Sequence, residues 1–303
     1  MNVHQTLPEF RAGGTDLSER RRSGVSRGQI VDLTPTDTMT GIAWRQDGAA
    51  RIGAMVTIET LASDARVREA YPGFATAAVS LATPQIRSVG TIGGNLAQRS
   101  RCWYFRNPYF ACLKKGGPVC PARAGNHLYG VAFDLGPCVA PHPSTLAAAL
   151  LAYDATVTTS ERSGLTIGDL LGDGSDGTVD NKLRPGEYII HVDIRAPLKG
   201  ERAAYHRVIS RTYAEWPLVE AVVRGVFVGK RFEFVRVTAG GIAAVPLRFI
   251  EVEEALRSAA SDEVSIRRAA ALAAKNARPL SGTAYKLKLL EQEVVGLVRS
   301  LIQ

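Results

Sequence analysis

Apolar and polar positions change places at short intervals through the first hundred residues, a pattern that predicts short strands and short helices. Residues 51–56 read as a strand. Over residues 60–70 Leu61, Ala65 and Arg68 make one weak helical face, and Pro72 is expected to end it. Residues 74–82 read as a second helix, stopped by Pro84. Farther on, Ser144 is placed to cap a short helix over 146–151, and residues 155–159 read as a strand. The Gly- and Asp-rich stretch 172–181 reads as a loop, and residues 188–194 as another strand. Residues 222–228 and 231–237 make a hairpin at Gly229-Lys230. A helix opening at Asp262 is expected to reach about Ala277. Leu290, Val294, Leu297 or Val298, and Leu301 give the stripe of a C-terminal helix. A domain boundary is expected near residue 198, after Pro197, dividing the chain into 1–198 and 199–303.

Residues 98–143 fit neither period. They hold several Pro and Gly turn signals, many aromatics and all four cysteines of the chain. The aromatic content argues against disorder. A long irregular stretch inside a folded domain needs something other than an apolar core to hold it, and a metal centre is the natural candidate.

The chain's 303 residues suffice for two domains. No apolar run approaches the length of a transmembrane helix. The start Met1-Asn2-Val3-His4-Gln5 lacks the form of a secretory signal. A cytoplasmic protein is expected, or one exported with a partner. The net charge is +8, part of it in Arg20, Arg21, Arg22 and Arg27. No nucleic-acid motif accompanies it, so a solvated loop or a face for an acidic subunit is the better reading.

Two glycine pairs carry candidate chemistry. Ala12-Gly13-Gly14-Thr15-Asp16 follows an expected strand, and Thr91-Ile92-Gly93-Gly94-Asn95 closes the first region. Adjacent glycines can turn their N–H groups together into a nest for an anion such as a pyrophosphate. Each pair is also ordinary turn punctuation. Neither is a GxGxxG or a P-loop, so a phosphate-bearing cofactor would need another fold.

The cysteines Cys102, Cys112, Cys120 and Cys138 are spaced C-x9-C-x7-C-x17-C. Four thiolates suit one [4Fe–4S] cluster. Zinc is an alternative, although the paired C-x2-4-C knuckles of zinc ribbons are missing. Inert thiols or two disulfides are further readings. Trp103, Tyr104, Phe105, Tyr109 and Phe110 could form an apolar wall that keeps water from a cluster, or plain core. His4, His127, His142, His191 and His206 are scattered, and no nucleophile motif is visible. An electron carrier fits better than a hydrolase.

These residues carry a resemblance. Arg11 to Leu17, Arg51-Ile52-Gly53-Ala54 and Pro84 to Asn95 look like the FAD-binding medium subunit of the xanthine oxidase, or molybdenum hydroxylase, family. The likeness extends to Tyr285-Lys286-Leu287. The insert, with Gln98 to Arg106, Cys120-Pro121-Ala122 and Cys138 to Ser144, resembles that of the flavin subunits of bacterial periplasmic aldehyde oxidoreductases, which hold an extra [4Fe–4S] cluster. A hydroxybenzoyl-CoA-reductase-like flavin subunit is an alternative, as is a zinc-stabilised binding module.

The resemblance implies an α+β chain: a PCMH-type FAD-binding fold and a smaller α/β CO-dehydrogenase-flavoprotein-like C-terminal domain. It implies FAD at Ala12, Gly13, Gly14, Thr15, Asp16, Gly90, Thr91, Ile92, Gly93, Gly94 and Asn95, with Ile190 and Arg207 near the flavin ring. It implies the cluster on the four cysteines and no catalytic residue on this chain. It implies two partners in a heterotrimer, a large subunit with the molybdenum cofactor and a small one with two [2Fe–2S] clusters, and an external electron acceptor. Neither nucleic acid nor membrane insertion is expected. Only ten residues precede Arg11, Thr145 stands where the family often has Asp, and Arg207 where it has Lys.

Overall fold

The computed structural model describes residues 8–211 and 215–303, so His4 lies outside the described residues. Strand β1 (Glu9–Arg11) lies parallel to β2 (Ile30–Asp32), with the helix Thr15–Arg22 between them in sequence. Next come β3 (Ile42–Trp44), β4 (Ala50–Gly53), β5 (Thr156–Thr159), β6 (Leu165–Thr166) and β7 (Ile189–Ile194). They form an antiparallel sheet in the order β3-β4-β7-β5-β6. The rest of the chain supplies β8 (Glu201–Val208), β9 (Val219–Val228), β10 (Arg231–Gly240) and β11 (Leu247–Arg248). These make a second antiparallel sheet, β11-β10-β9-β8.

Strand β9 explains how the halves join. Seven of its ten residues in succession, from Val219 to Gly225, are buried. A strand buried on both faces loses the usual alternation. Val222 packs into the core built around the helices Pro72–Ser80 and Thr145–Ala152. Ala221 and Val223 point the other way, into the core with the C-terminal helix Tyr285–Ile302. Two cores thus share one sheet.

Several elements differ from the pattern reading. The helix expected over 60–70 is two helices, Ile58–Ser63 and Ala65–Ala70, because Asp64 turns extended and caps the second through Val67 N–H. Pro72 opens the next helix at its first position rather than ending the last. Pro84 likewise opens a short turn, Pro84–Arg87. The helix at Asp262 ends at Ala271 and tightens into a 3-10 turn, Leu272–Ala274. The strand at 51–56 stops pairing at Gly53. Among the described residues no helix is long and apolar enough to cross a membrane.

The insert has little regular structure: a helical turn Trp103–Arg106 and 3-10 turns Leu113–Lys115 and Pro121–Arg123. Its own buried apolar cluster is Ala122, Val131 and Val139. Gln98 Nε2 donates to the Pro143 carbonyl (3.1 Å), which ties the insert's entrance to its exit.

Candidate functional site

The two glycine loops interlock. A methyl group on Gly13 would stand 1.9 Å from the Val89 carbonyl oxygen and 3.3 Å from Gly90 Cα, so only glycine allows this approach. Gly14 follows at φ +71° and caps the helix Thr15–Arg22. No acceptor among the described residues meets the N–H groups of Gly13, Gly14 or Thr15. They sit at a helix N-terminus, where backbone donors and the helix dipole favour an anion.

The second loop is built differently. Ile92 N–H donates to Val56 O, Gly93 N–H to Ala54 O, and Gly94 N–H to Thr91 Oγ1. These three donors are therefore committed within the protein. Gly93 is held within van der Waals contact of Ala54. Ala54 N–H in turn donates to Ile190 O, which sets Ile190 beside this loop. Asn95 Oδ1 accepts from Ser144 Oγ at 2.6 Å. Arg207 lies opposite Glu220 on β9 and donates to Glu215 O. Glu220 is buried and bonded by the Tyr205 hydroxyl (2.8 Å) and by Thr145. Burial, against those bonds, raises its carboxyl pKa.

Asp16 faces the insert. Its carboxylate accepts from Arg20 Nε (3.0 Å), Arg106 Nη2 (2.7 Å) and Arg99 N–H (3.2 Å), with Arg101 Nη2 at 3.0 Å. Burial pushes this carboxyl's pKa up, but Arg101, Arg106 and Arg20 together bring it below the ordinary value. Glu19 pairs with Arg101 and Arg106 one turn on. A second buried anchor is Asp180, between Arg99 Nε (2.5 Å) and Lys114 Nζ (2.9 Å). Those two cations overcome burial and hold its carboxyl well below the usual range. The expected basic patch is thus partly internal: Arg20 bonds Glu9 and Asp16, while Arg22 and Arg27 stay exposed.

All four cysteines line one pocket with Ser100, Tyr104, Phe105, Leu113 and Ala140. The cavity between them is small, about 10 Å³. None is in a disulfide. The peptide N–H groups of Phe105 and Tyr104 lie toward the Cys102 sulfur, and those of Lys114 and Lys115 toward Cys112. Those of Val139, Ala122 and Arg123 lie toward Cys120, and that of Ala140 toward Cys138. The Cys138 and Cys120 thiols face each other, which lowers the pKa of Cys120 and raises that of Cys138. Burial raises Cys102 and Cys112. Among the described residues no three His, Cys, Asp or Glu side chains stand in the tight grouping that holds a single metal ion. The aromatic wall is mostly absent: Phe105 is buried, but Trp103 is 67% and Tyr109 92% exposed.

Sequence reasoning missed the arginine–carboxylate lattice. Its signal is present in Arg99-Ser100-Arg101 and Arg106, yet charges in an aperiodic stretch do not reveal their partners.

Residues 5–197 match the family described as the FAD binding domain in molybdopterin dehydrogenase. Residues 204–296 match the CO dehydrogenase flavoprotein C-terminal domain. The chain is 30% identical over 300 residues to the aldehyde oxidoreductase FAD-binding subunit PaoB of Escherichia coli K12, covering 96% of this chain and 90% of that one. It is 38% identical over 86 residues to the xanthine dehydrogenase FAD-binding subunit of Escherichia coli O157:H7, which covers 28% of this chain and 30% of that one. Among solved structures, carbon monoxide dehydrogenase from Hydrogenophaga pseudoflava superimposes with a TM-score of 0.75 at 20% identity, covering 97% of this chain and 89% of that one. Quinoline 2-oxidoreductase from Pseudomonas putida 86 gives 0.74 at 19%, with the same coverage.

Proposed function

This chain belongs to the FAD-binding subunit family of the molybdopterin dehydrogenases, and from that premise we propose that it serves a molybdenum-dependent aldehyde oxidoreductase. Within the family it is an oxidoreductase subunit that binds FAD and transfers electrons. The finer reading adds a [4Fe–4S] cluster on Cys102, Cys112, Cys120 and Cys138. It also adds two partners: a large subunit with the molybdenum cofactor and a small one with two [2Fe–2S] clusters. We place residues 1–198 in the FAD-binding domain and 199–303 in the C-terminal domain. The complex is read as bacterial, in the cytoplasm or carried to the periplasm by a partner.

FAD, when bound, takes electrons from iron–sulfur centres and gives them to an external acceptor. The free N–H groups of Gly13, Gly14 and Thr15 fit its pyrophosphate. Gly90 and Gly93 let the second loop pack closely on Ile86 and Ala54, Asn95 and Ser144 fix that loop, and Ile190 would offer the cofactor an apolar contact. Arg207 would supply a permanent cation near the ring.

For the insert, the observation that carries the reading is the convergence of four cysteines on one pocket with peptide N–H donors aimed at the sulfurs. N–H donors to sulfur, low solvent access and local charge are the levers that set a cluster's potential.

The test is to co-express the chain with a molybdenum subunit and a two-cluster subunit, then measure flavin, iron, zinc and aldehyde turnover. The reading expects one FAD, iron beyond the two [2Fe–2S] clusters, and reduction of the flavin by aldehydes. A complex without flavin would sink the first part, and zinc in place of the additional iron the second. Flavin that responds to an aromatic CoA thioester but not to aldehydes would transfer the chain to the hydroxybenzoyl-CoA-reductase-like class.

A further inference from the structure

The insert and the pyrophosphate loop are joined through Asp16 and Glu19, which Arg101 and Arg106 both reach. Arg106 closes the helical turn that starts after Cys102, its N–H donating to Cys102 O at 2.9 Å. Its guanidinium then uses its donors in two directions. Nε donates to Ser100 O (2.7 Å) and Nη2 to Arg99 O (2.8 Å), which pins the strand of chain leading into Cys102. Nη2 also donates to Asp16 Oδ1 and Nη1 to Glu19 Oε2, each at 2.7 Å. Asp16 lies in the first turn of the helix that Gly14 caps. The Arg106 side chain is only 10% exposed. Charge-assisted bonds of this length, shielded from water, are strong and fix geometry. Asp16 has no carboxylate oxygen left unengaged: Oδ1 takes Arg106, with Arg101 at 3.0 Å, and Oδ2 takes Arg20 and the Arg99 N–H.

We propose that Arg106 is a positioning residue for FAD, a strut that transmits the fold of the cysteine insert to the Gly13-Gly14 loop through Asp16. Asp16 then acts on the cofactor through the loop it anchors rather than by touching it. The inference rests on the reading that this loop holds the FAD pyrophosphate. Coupling of this type is reciprocal: a folded insert tightens FAD binding, and bound FAD stiffens the insert.

The experiment uses the complete complex, stripped of FAD and titrated with FAD by fluorescence, for wild type, Arg106→Gln and Asp16→Asn. Amide hydrogen exchange of residues 98–143 is recorded with and without FAD. Arg106→Gln removes two charge-assisted bonds to the helix, so its FAD dissociation constant is expected to rise about tenfold or more. Asp16→Asn is expected to act alike, and the double variant to be little worse than either single one. FAD should slow exchange in the wild-type insert and not in Arg106→Gln. The exposed Arg267→Gln, whose partner is Glu263, serves as control and should bind FAD normally. If Arg106→Gln does not fold, Arg106→Lys, which keeps charge and loses the fork, is measured with the same expectations. Wild-type affinity in a folded Arg106 variant, or additive losses in the double variant, overturns the strut alone. A wild-type complex that takes up no FAD overturns the cofactor reading as well.

Discussion

Single atoms decide the most sensitive positions. The Cβ of Gly13→Ala would be driven into the Val89 carbonyl at 1.9 Å, a backbone atom that cannot swing aside. The two loops would have to part, and the N–H groups of the first would lose their aim. Purified Gly13→Ala complex is therefore expected to carry a small fraction of the wild-type flavin, read from visible absorbance, with a near-normal far-UV spectrum. Lys286 is sensitive in another way. Its ammonium is fully buried, donating to Gly241 O (2.7 Å) and Tyr129 O (3.4 Å). Desolvation lowers its pKa from 10.5 to about 7. Below about pH 7 both folded and unfolded states hold the proton, and the burial cost is fully present. Between there and 10.5 the unfolded state binds more protons, so stability contributed at this site rises with pH. Urea denaturation of wild type and Lys286→Met at pH 7 and pH 9 checks the sign. The wild type should gain on the variant at the higher pH, and a constant difference would show that Lys286 does not titrate there.

At the level of elements, Ser144 shows what local sequence can reveal. A serine before an apolar run is a cap signal, and in the structure Ser144 Oγ does accept from Ala147 N–H at 3.0 Å. Its second bond, to Asn95, joins this helix to the glycine loop and had no local signal. Ser144→Ala should cost about 1–2 kcal/mol in chemical denaturation. Weaker flavin retention should accompany it, because Asn95 loses its partner. The hairpin at Gly229-Lys230 was legible for the same reason as the cap: Gly229 sits at φ +61°, which glycine takes without strain. Asp64 was not legible, since a polar residue in a weakly amphipathic run reads as a solvent-facing helical position as readily as a cap. The insert resisted pattern reading for a physical cause. Its order comes from Asp16, Glu19 and Asp180, which lie 80 or so residues away on either side, and from thiols meeting in one pocket. Distant ion pairs leave no period in a chain. The clustering of the cysteines and the resemblance of the flanking residues to a known family, not periodicity, point to that region. Cys120→Ser tests the proposed cluster: Cys120 lines the cysteine pocket, and on that proposal this variant should lose the additional iron while keeping aldehyde-reducible flavin at a reduced level.

The whole molecule is held together where β9 serves two cores. Arg224, on that strand, is almost completely buried. Its Nη1 donates to Ala152 O (3.1 Å) at the end of the helix Thr145–Ala152, across the boundary between the halves. Its Nε stands 2.8 Å from Glu201 on β8, itself buried, and its guanidinium lies over the rings of Tyr153 and Phe234. Thr238 on β10 makes a parallel link, donating to Ala148 O at 2.8 Å. The desolvation of two charges offsets most of what their attraction supplies, so the intact pair contributes little net stability. Removing one member is different, because the other remains buried without a counter-charge. Arg224→Met should therefore destabilise the chain by about 3–5 kcal/mol. It should also loosen the halves, visible in calorimetry as a broadened or split transition. Pairing it with Glu201→Gln removes the stranded charge, and the double variant should recover a large part of the loss. If the double variant were no better than Arg224→Met, the cost would lie in the lost bond to Ala152 and the ring contacts, and the boundary would be held by shape rather than by charge.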